Sequence, residues 1–319
     1  MGEKREQHLV LERRALTIGK WANLFMAFAG LLAAWLSRSD AMLVDGLYSA
    51  VNFVSAIAAA RIGSRVGLPP TRSRPWGHDF DEVLYVTFRS LILIGILVFA
   101  AYVSGAKIWT FFTGGAVPEL IFGPIAVYAV VIVAICLALA VNYRRAFRKT
   151  GKRSAVLKTE ARAALIDGAL SLGSGAALLS LPFLQDTPLG PYVPIGDAVI
   201  VLLLILAIIW QPLAAFRTTL ADLAGVSAPS GTFSKVSRAA RDLARERGYL
   251  FHRAAVLQAG RMHYAAVYLD PVEAIRAEDI DGFRDLLSDR LEKLIGPTRV
   301  EIIVTAGNGL TAKNGGSAG

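Results

Sequence analysis

Met42–Val54 reads MLVDGLYSAVNFV. Its apolar residues suit a helix in lipid, yet Asp45, Tyr48 and Asn52 stand at i, i+3 and i+7, on one face of such a helix. Polar groups inside a membrane span are costly. Where they occur they line a pathway or bond across helices. The stretch therefore predicts a membrane-crossing helix with a polar track along one side.

The surrounding chain agrees. It has 319 residues, 54% hydrophobic and 18% charged, with a mean hydropathy of +0.49. That is too little charge and too much apolar surface for a soluble domain of this length. A span needs about 20 mostly apolar residues. Six stretches qualify: 15–37, 41–63, 83–106, 120–142, 155–181 and 194–216. The charged start, MGEKREQHLVLERR, is not that of a cleavable signal peptide.

The net charge of +9 is explained by topology rather than by nucleic acid. Lys and Arg crowd the N-terminus, the loop RIGSRVGLPPTRSRPWGHDFDE and the loop NYRRAFRKTGKRS. The alternate loops, SRSD, WTFFTGGAVPE and LQDTPLGPYVP, are nearly free of them. By the positive-inside rule both termini are cytoplasmic. The expected organisation is a cytoplasmic arm at 1–14, a six-helix membrane domain at 15–217, a linker at 218–232, a cytoplasmic domain at 233–306 and a disordered tail at 307–319.

Past the linker the pattern changes. FSKVSRAARDLARERG has helical periodicity and a glycine stop. LFHRAAVLQ and MHYAAVYLD are strand-like and separated by AGR, a hairpin signal. AEDIDGFRDLLSDRLEKLIG is amphipathic, and RVEIIVTA is a last strand. The fold class is membrane α-helical with a C-terminal αββαβ, ferredoxin-like α+β domain.

The polar residues within spans are the candidate site. With the N-terminus inside, Asp45 lies toward the outer face, with Tyr48 and Asn52 deeper. Asp167 lies about 12 residues into span 5, near mid-membrane at roughly 1.5 Å per residue. Together they offer oxygen donors only, which suit hard ions such as Mn, Mg or Fe(II) better than zinc. Each has a structural alternative. Asp45 caps a helix start or pairs with an arginine, Tyr48 is an interfacial aromatic, Asn52 bonds a neighbouring helix, and Asp167 pairs with Arg162 or Arg89. Arg89 is expected to snorkel to the inner face. Glu160 and Arg162 are expected to pair near the cytoplasmic end. His78 is in a loop. His252 and His263 fall on adjacent strands, where two imidazoles can share a metal. Cys136, the single cysteine, excludes an intramolecular disulfide and reads as a small buried residue. No nucleophile–base pair stands in a span, so no enzyme is expected.

These features together resemble the cation diffusion facilitator family of divalent-metal/proton antiporters. ANLFMAFAGLLAAWLSRSDAMLVDGLYSAV is similar to its first two spans, RPWGHDFDE to its HPYGHGKAE loop, and LKTEARAALIDGALS to its span-5 motif L-x-A-[DE]-A-x-H-x-x-x-D. GDAVIVLLLILAI and TLADLAG resemble span 6 and its exit. The resemblance implies a homodimer in the inner membrane that carries a divalent ion (Mn, Fe or Zn) against protons, with no resident cofactor. It also places the family's four ligand positions on Tyr48, Asn52, Ala163 and Asp167. Only Asp167 keeps the common residue. Tyr48 matches a variant of iron-associated members, Asn52 keeps an oxygen without charge, and Ala163 removes a ligand. Arg74 replaces the first histidine of the loop motif, and IIVTA lacks the ligands that other members carry on the last strand.

Overall fold

The computed structural model describes residues 2–63, 71–72, 77–149, 155–260 and 262–306. Arg74 and the expected tail at 307–319 lie outside the described residues. Among them are nine α-helices and three strands. Six segments are long and apolar enough to cross a membrane: Val10–Ser37, Asp40–Ile62, Asp79–Phe112, Phe122–Lys149, Glu160–Leu184 and Gly190–Leu223. The six spans read from the sequence are present, mostly with longer helices.

Helix α1 runs over Gly2–Ser37, so most of the charged arm at 1–14 is the first part of the same helix. It reverses into α2 (Asp40–Gly63) through a very short turn in which Arg38 takes φ 57°. Helix α3 covers Asp79–Phe112 and stops at Gly114, whose φ of 78° suits a residue without a Cβ. Helices α4 (Phe122–Lys149) and α5 (Ala155–Ser180) follow. The sixth span is not one rod. A 3₁₀ turn over Gly190–Ile195 leads into α6 (Gly196–Ile208), and α7 (Trp210–Leu223) follows after a break at Ile209. Pro212 is the physical cause. It has no N–H for the carbonyl of Ile208, and its ring crowds that turn.

Two compact units emerge. The first comprises residues 1–60 and 89–214. Its core is built on α4, whose inner stripe of Ile125, Tyr128, Ile132, Cys136, Leu139, Ala140 and Tyr143 is buried against α1 and α5. Small residues let the backbones close. A Cβ on Gly168 would meet Cys136 Cβ at 2.9 Å, and one on Gly175 would meet Ala129 Cβ at 2.7 Å. Between α1 and α2 a Cβ on Gly30 would lie 2.6 Å from the Gly46 Cα. Without a hydrophobic drive between helices in lipid, such close approach supplies the attraction. Cys136 is the small buried residue its surroundings demand. Large apolar side chains such as Phe28, Trp35, Tyr102, Trp109 and Val130 are exposed, as lipid-facing residues must be.

The turn between α1 and α2 and the start of α6 close on one acid. Asp197, at the start of α6, is fully buried. It accepts from Ser39 Oγ at 2.9 Å, from the Asp40 N–H at 2.7 Å and from the Ala41 N–H at 3.3 Å. Lys107 Nζ stands 3.5 Å from it and 3.4 Å from Asp40. Asp197 thereby satisfies the orphan amides at the N-terminus of α2 from another span.

The second unit comprises the described residues within 61–88 and 215–306. Helix α8 (Ser230–Glu246) precedes the antiparallel hairpin β1 (Leu250–Ala259) and β2 (Met262–Asp270). Helix α9 (Ala277–Ile295) then crosses over to β3 (Thr298–Val304), which pairs parallel with β2. The order is αββαβ, with the sheet order β1-β2-β3. Val236, Ala240 and Leu243 of α8 and Phe283, Leu287 and Leu291 of α9 bury their apolar stripes on Val256, Val267, Leu269 and Val300. In this unit α8 starts at Ser230 and α7 ends at Leu223, leaving residues 224–229 as the connection. The first turns of α3 belong here too. Phe80 and Val83 pack with Tyr264, Ala259, Leu257 and Met262, and Tyr264 donates to Asp79 Oδ2 at 2.8 Å.

Candidate functional site

The polar face of α2 meets three other helices. Asp45 is taken by α4: Tyr128 donates its phenol to Asp45 Oδ2 at 2.6 Å. A Cβ on Gly30 would lie 3.0 Å from that phenol oxygen. The glycine contact of α1 with α2 thus leaves room for the bond that orients Asp45. One helical turn on, Tyr48 feels the charges of Asp167 on α5 and Arg89 on α3. A further turn on, Asn52 accepts from Arg89 Nη2 at 2.9 Å.

Arg89 does not snorkel. It turns inward to Asn52, and its Nε is buried with no hydrogen-bond partner among the described residues. The reason is electrostatic. In hydrocarbon a guanidinium needs acceptors and counter-charge, and this pathway offers an amide oxygen and acids. Its charge acts on both Glu160 and Asp167. Glu160 therefore sides with this cluster rather than pairing with Arg162, whose exposed side chain lines a different cavity. Asp167 also feels Asp45 and Glu160.

The structure bonds Asn52 to Arg89 and sets Tyr48, Glu160 and Asp167 within reach of its charge, while Asp45 acts by charge on Asp167. Asp167 is 12 residues beyond the first residue of α5, about 18 Å along it at 1.5 Å per residue. Ala163 lies one turn before it and supplies no donor. Counted as ionised, Asp45, Glu160 and Asp167 carry three negative charges and Arg89 one positive, leaving two negative charges in the span region; only Glu160 and Asp167 stand in the field of Arg89. Among the described residues no three of His, Cys, Asp and Glu converge as a ready-made metal group. What Arg89 links is a mixed set: the amide of Asn52 by a hydrogen bond, and the phenol of Tyr48 and the acid of Asp167 by its charge. Arg89, Tyr128 and Glu160 carry much of this electrostatics, and only the intramembrane position of Arg89 and Glu160 signalled them beforehand. Nothing in the sequence singled out Tyr128 from other span tyrosines.

The histidines form no joint site. His263 pairs in register with Gln258 near the hairpin turn, while His252 sits in the irregularity between Phe251 and Arg253 at the far end of the ladder. Six residues of strand, about 20 Å at 3.4 Å each, separate them. His263 Nδ1 stands 3.4 Å from the Pro297 carbonyl, and His252 Nε2 is buried without a partner among the described residues. His78 Nδ1 lies 3.7 Å from Asp81 Oδ2 at the start of α3.

A bundle of six apolar helices with an intramembrane acid on the fifth and an αββαβ domain after the sixth defines an integral membrane carrier. Residues 16–224 match the model of the cation efflux transmembrane domain, and the chain belongs to that family, the cation diffusion facilitators. A 119-residue stretch is 28% identical to the manganese efflux system protein MneP of Bacillus subtilis (strain 168). That match spans 37% of this chain and 38% of that protein.

Proposed function

We propose that this chain is a divalent-cation efflux carrier that exchanges its cargo for protons by alternating access. It would work as a homodimer in the inner membrane, with both termini cytoplasmic. The observation that carries the reading is Asp167, deep in α5, in the field of Arg89 and with its own charge reaching Tyr48. A cluster with two uncompensated negative charges in lipid must be neutralised by a divalent ion or by protons. Either occupant satisfies the site, and exchange between them is the coupled step. Tyr48 and Asn52 supply neutral oxygens beside Asp167, and water completes the shell where Ala163 gives none. An all-oxygen set favours Mn or Fe(II) over zinc, and similarity to a protein named for manganese efflux supports manganese of the two.

The test is flux in reconstituted vesicles under a pH gradient, with Mn, Fe(II), Zn, Co and Mg run side by side and Asp167→Ala as control. Mn or Fe(II) flux that is lost in Asp167→Ala is the expected result. A second reading, a transport-poor partner or scaffold, is favoured by the missing ligand at Ala163 and by the hydrogen bond of Arg89 to Asn52. Absence of flux for every ion, from folded and dimeric protein, would select it.

A further inference from the structure

At the end of α4 and the start of α5 the chain concentrates positive charge. Between Tyr143 and Thr159 there are seven Lys and Arg residues and no acid. Four basic residues line one cavity of about 360 Å³: Arg144 and Arg148 on α4, and Lys158 and Arg162 on α5, with Phe147 and Ala161 beside them. Each pair is spaced i, i+4, so the like charges are neighbours on their own helix and repel. All four are exposed, and none has an acidic partner among the described residues. Some cations elsewhere do meet carboxylates: Lys107 has Asp40 and Asp197, Arg290 has Glu246, and Arg284 has Asp281. Glu160, on the same turn of α5, directs its charge to Arg89.

Orientation in the membrane requires only that basic residues be present near the span ends. It does not require two helices to aim four of them into one hollow. That convergence, without a counter-ion among the described residues, calls for an anion from outside. The cavity lies at the ends of two spans, at headgroup level, and an aromatic ring and a methyl beside the charges suit the glycerol and upper acyl carbons of a lipid. We propose that it binds the phosphodiester headgroup of an anionic phospholipid, clamped between α4 and α5. The guanidinium groups of Arg144, Arg148 and Arg162 would grip the phosphate oxygens in fork geometry, with Lys158 as a point charge. The lipid would then tie the start of α5, the helix that carries Asp167, to the end of α4. The proposal is independent of which cargo the protein carries.

The test uses full-length protein in nanodiscs of phosphatidylcholine with added phosphatidylglycerol, and native mass spectrometry to count retained lipid. Arg144→Gln/Arg148→Gln and, separately, Lys158→Gln/Arg162→Gln should each weaken phosphatidylglycerol retention by roughly 10- to 30-fold, the loss expected for two surface cations. Arg145→Gln/Lys149→Gln removes the same charge from the same helix end but outside the cavity, and should leave retention unchanged. An equal loss in that control would overturn the site in favour of a diffuse basic field. Displacement of the lipid by millimolar inorganic phosphate or glycerol phosphate would overturn the assignment to a membrane lipid. Two independent variant pairs keep the test decisive if one of them misfolds.

Discussion

Arg89 Nη2 donates to Asn52 Oδ1 at 2.9 Å, so a fixed cation from α3 sits on the α2 side chain proposed above to offer a neutral oxygen to the cargo. A guanidinium cannot lose its proton in a protein. It therefore opposes any mobile cation that approaches the same oxygens. At about 6 Å and an effective dielectric near 20, each unit of cargo charge is repelled by roughly 3 kcal/mol before the side chain moves. Removing the guanidinium should strengthen cargo binding. Arg89→Gln, which keeps a hydrogen-bond donor for Asn52, is expected to lower the KM for Mn about tenfold or more, while Arg89→Lys stays near wild type. Flux titrations in vesicles read this directly. An unchanged or higher KM in Arg89→Gln would mean that Arg89 serves to hold Asn52 in place rather than to compete with the ion.

Restoring the common ligands should change the cargo. Ala163→His with Asn52→Asp adds a nitrogen donor and a carboxylate one turn from the existing donors, and zinc favours such a set. Zinc flux is expected to rise in the double variant. Part of the gain is held back, because the new carboxylate at 52 faces Arg89 and pairs with it. Adding Arg89→Gln should therefore raise zinc affinity further. If the double variant gains no zinc affinity, Ala163 and Asn52 do not face a common point and the register of α2 against α5 is wrong.

Much of this arrangement was legible in the sequence because the membrane leaves few choices. Backbone groups in lipid must be bonded within the segment, so six long apolar runs could only be six helices. Strand and helix periods in the C-terminal region were equally plain. The polar stripe of Asp45, Tyr48 and Asn52 and the lone Asp167 were visible as costs that lipid does not tolerate without a reason. Partner choice was not legible. Arg89 lies ten residues after the start of α3, near enough to a helix end that snorkelling was a fair expectation. Only the packing of α2 beside α3 turns it inward. Glu160 was read with Arg162 by sequence proximity, yet residues two apart on a helix point to different sides. His252 and His263 were neighbours by strand pairing alone, and their register puts them at opposite ends of the hairpin.

The buried acid at the start of α6 offers a stability test. Asp197 accepts three hydrogen bonds around the start of α2 and faces Lys107. Asp197→Ala strips all of these and leaves Lys107 with Asp40 alone. The expected cost is about 3–5 kcal/mol, as for deleting one member of a buried charged pair. Ser39→Ala removes a single capping hydroxyl and should cost about 1 kcal/mol. Thermal unfolding of the purified protein in detergent ranks the two. Equal melting temperatures for Asp197→Ala and wild type would show that the span-6 acid does not hold the turn between α1 and α2.

The junction at the start of α3 predicts an alkaline limit. Tyr264 stacks on Phe80 at 5.8 Å and donates to Asp79. Burial, then the bond to Asp79 and its charge, push the phenol from 10.0 up to about 12. Because the folded state holds the proton more tightly, the contribution of this group is full and independent of pH below pH 10, where both states are protonated. Between pH 10 and about 12 the unfolded chain releases the proton and the folded chain keeps it, so stability falls as pH rises. Tyr264→Phe removes that slope. At neutral pH it should cost about 1 kcal/mol for the lost hydrogen bond, yet its melting temperature should decline less than that of wild type from pH 10 to 12. Parallel declines in the two proteins would place the alkaline sensitivity elsewhere and leave Tyr264 as a packing residue between β2 and α3.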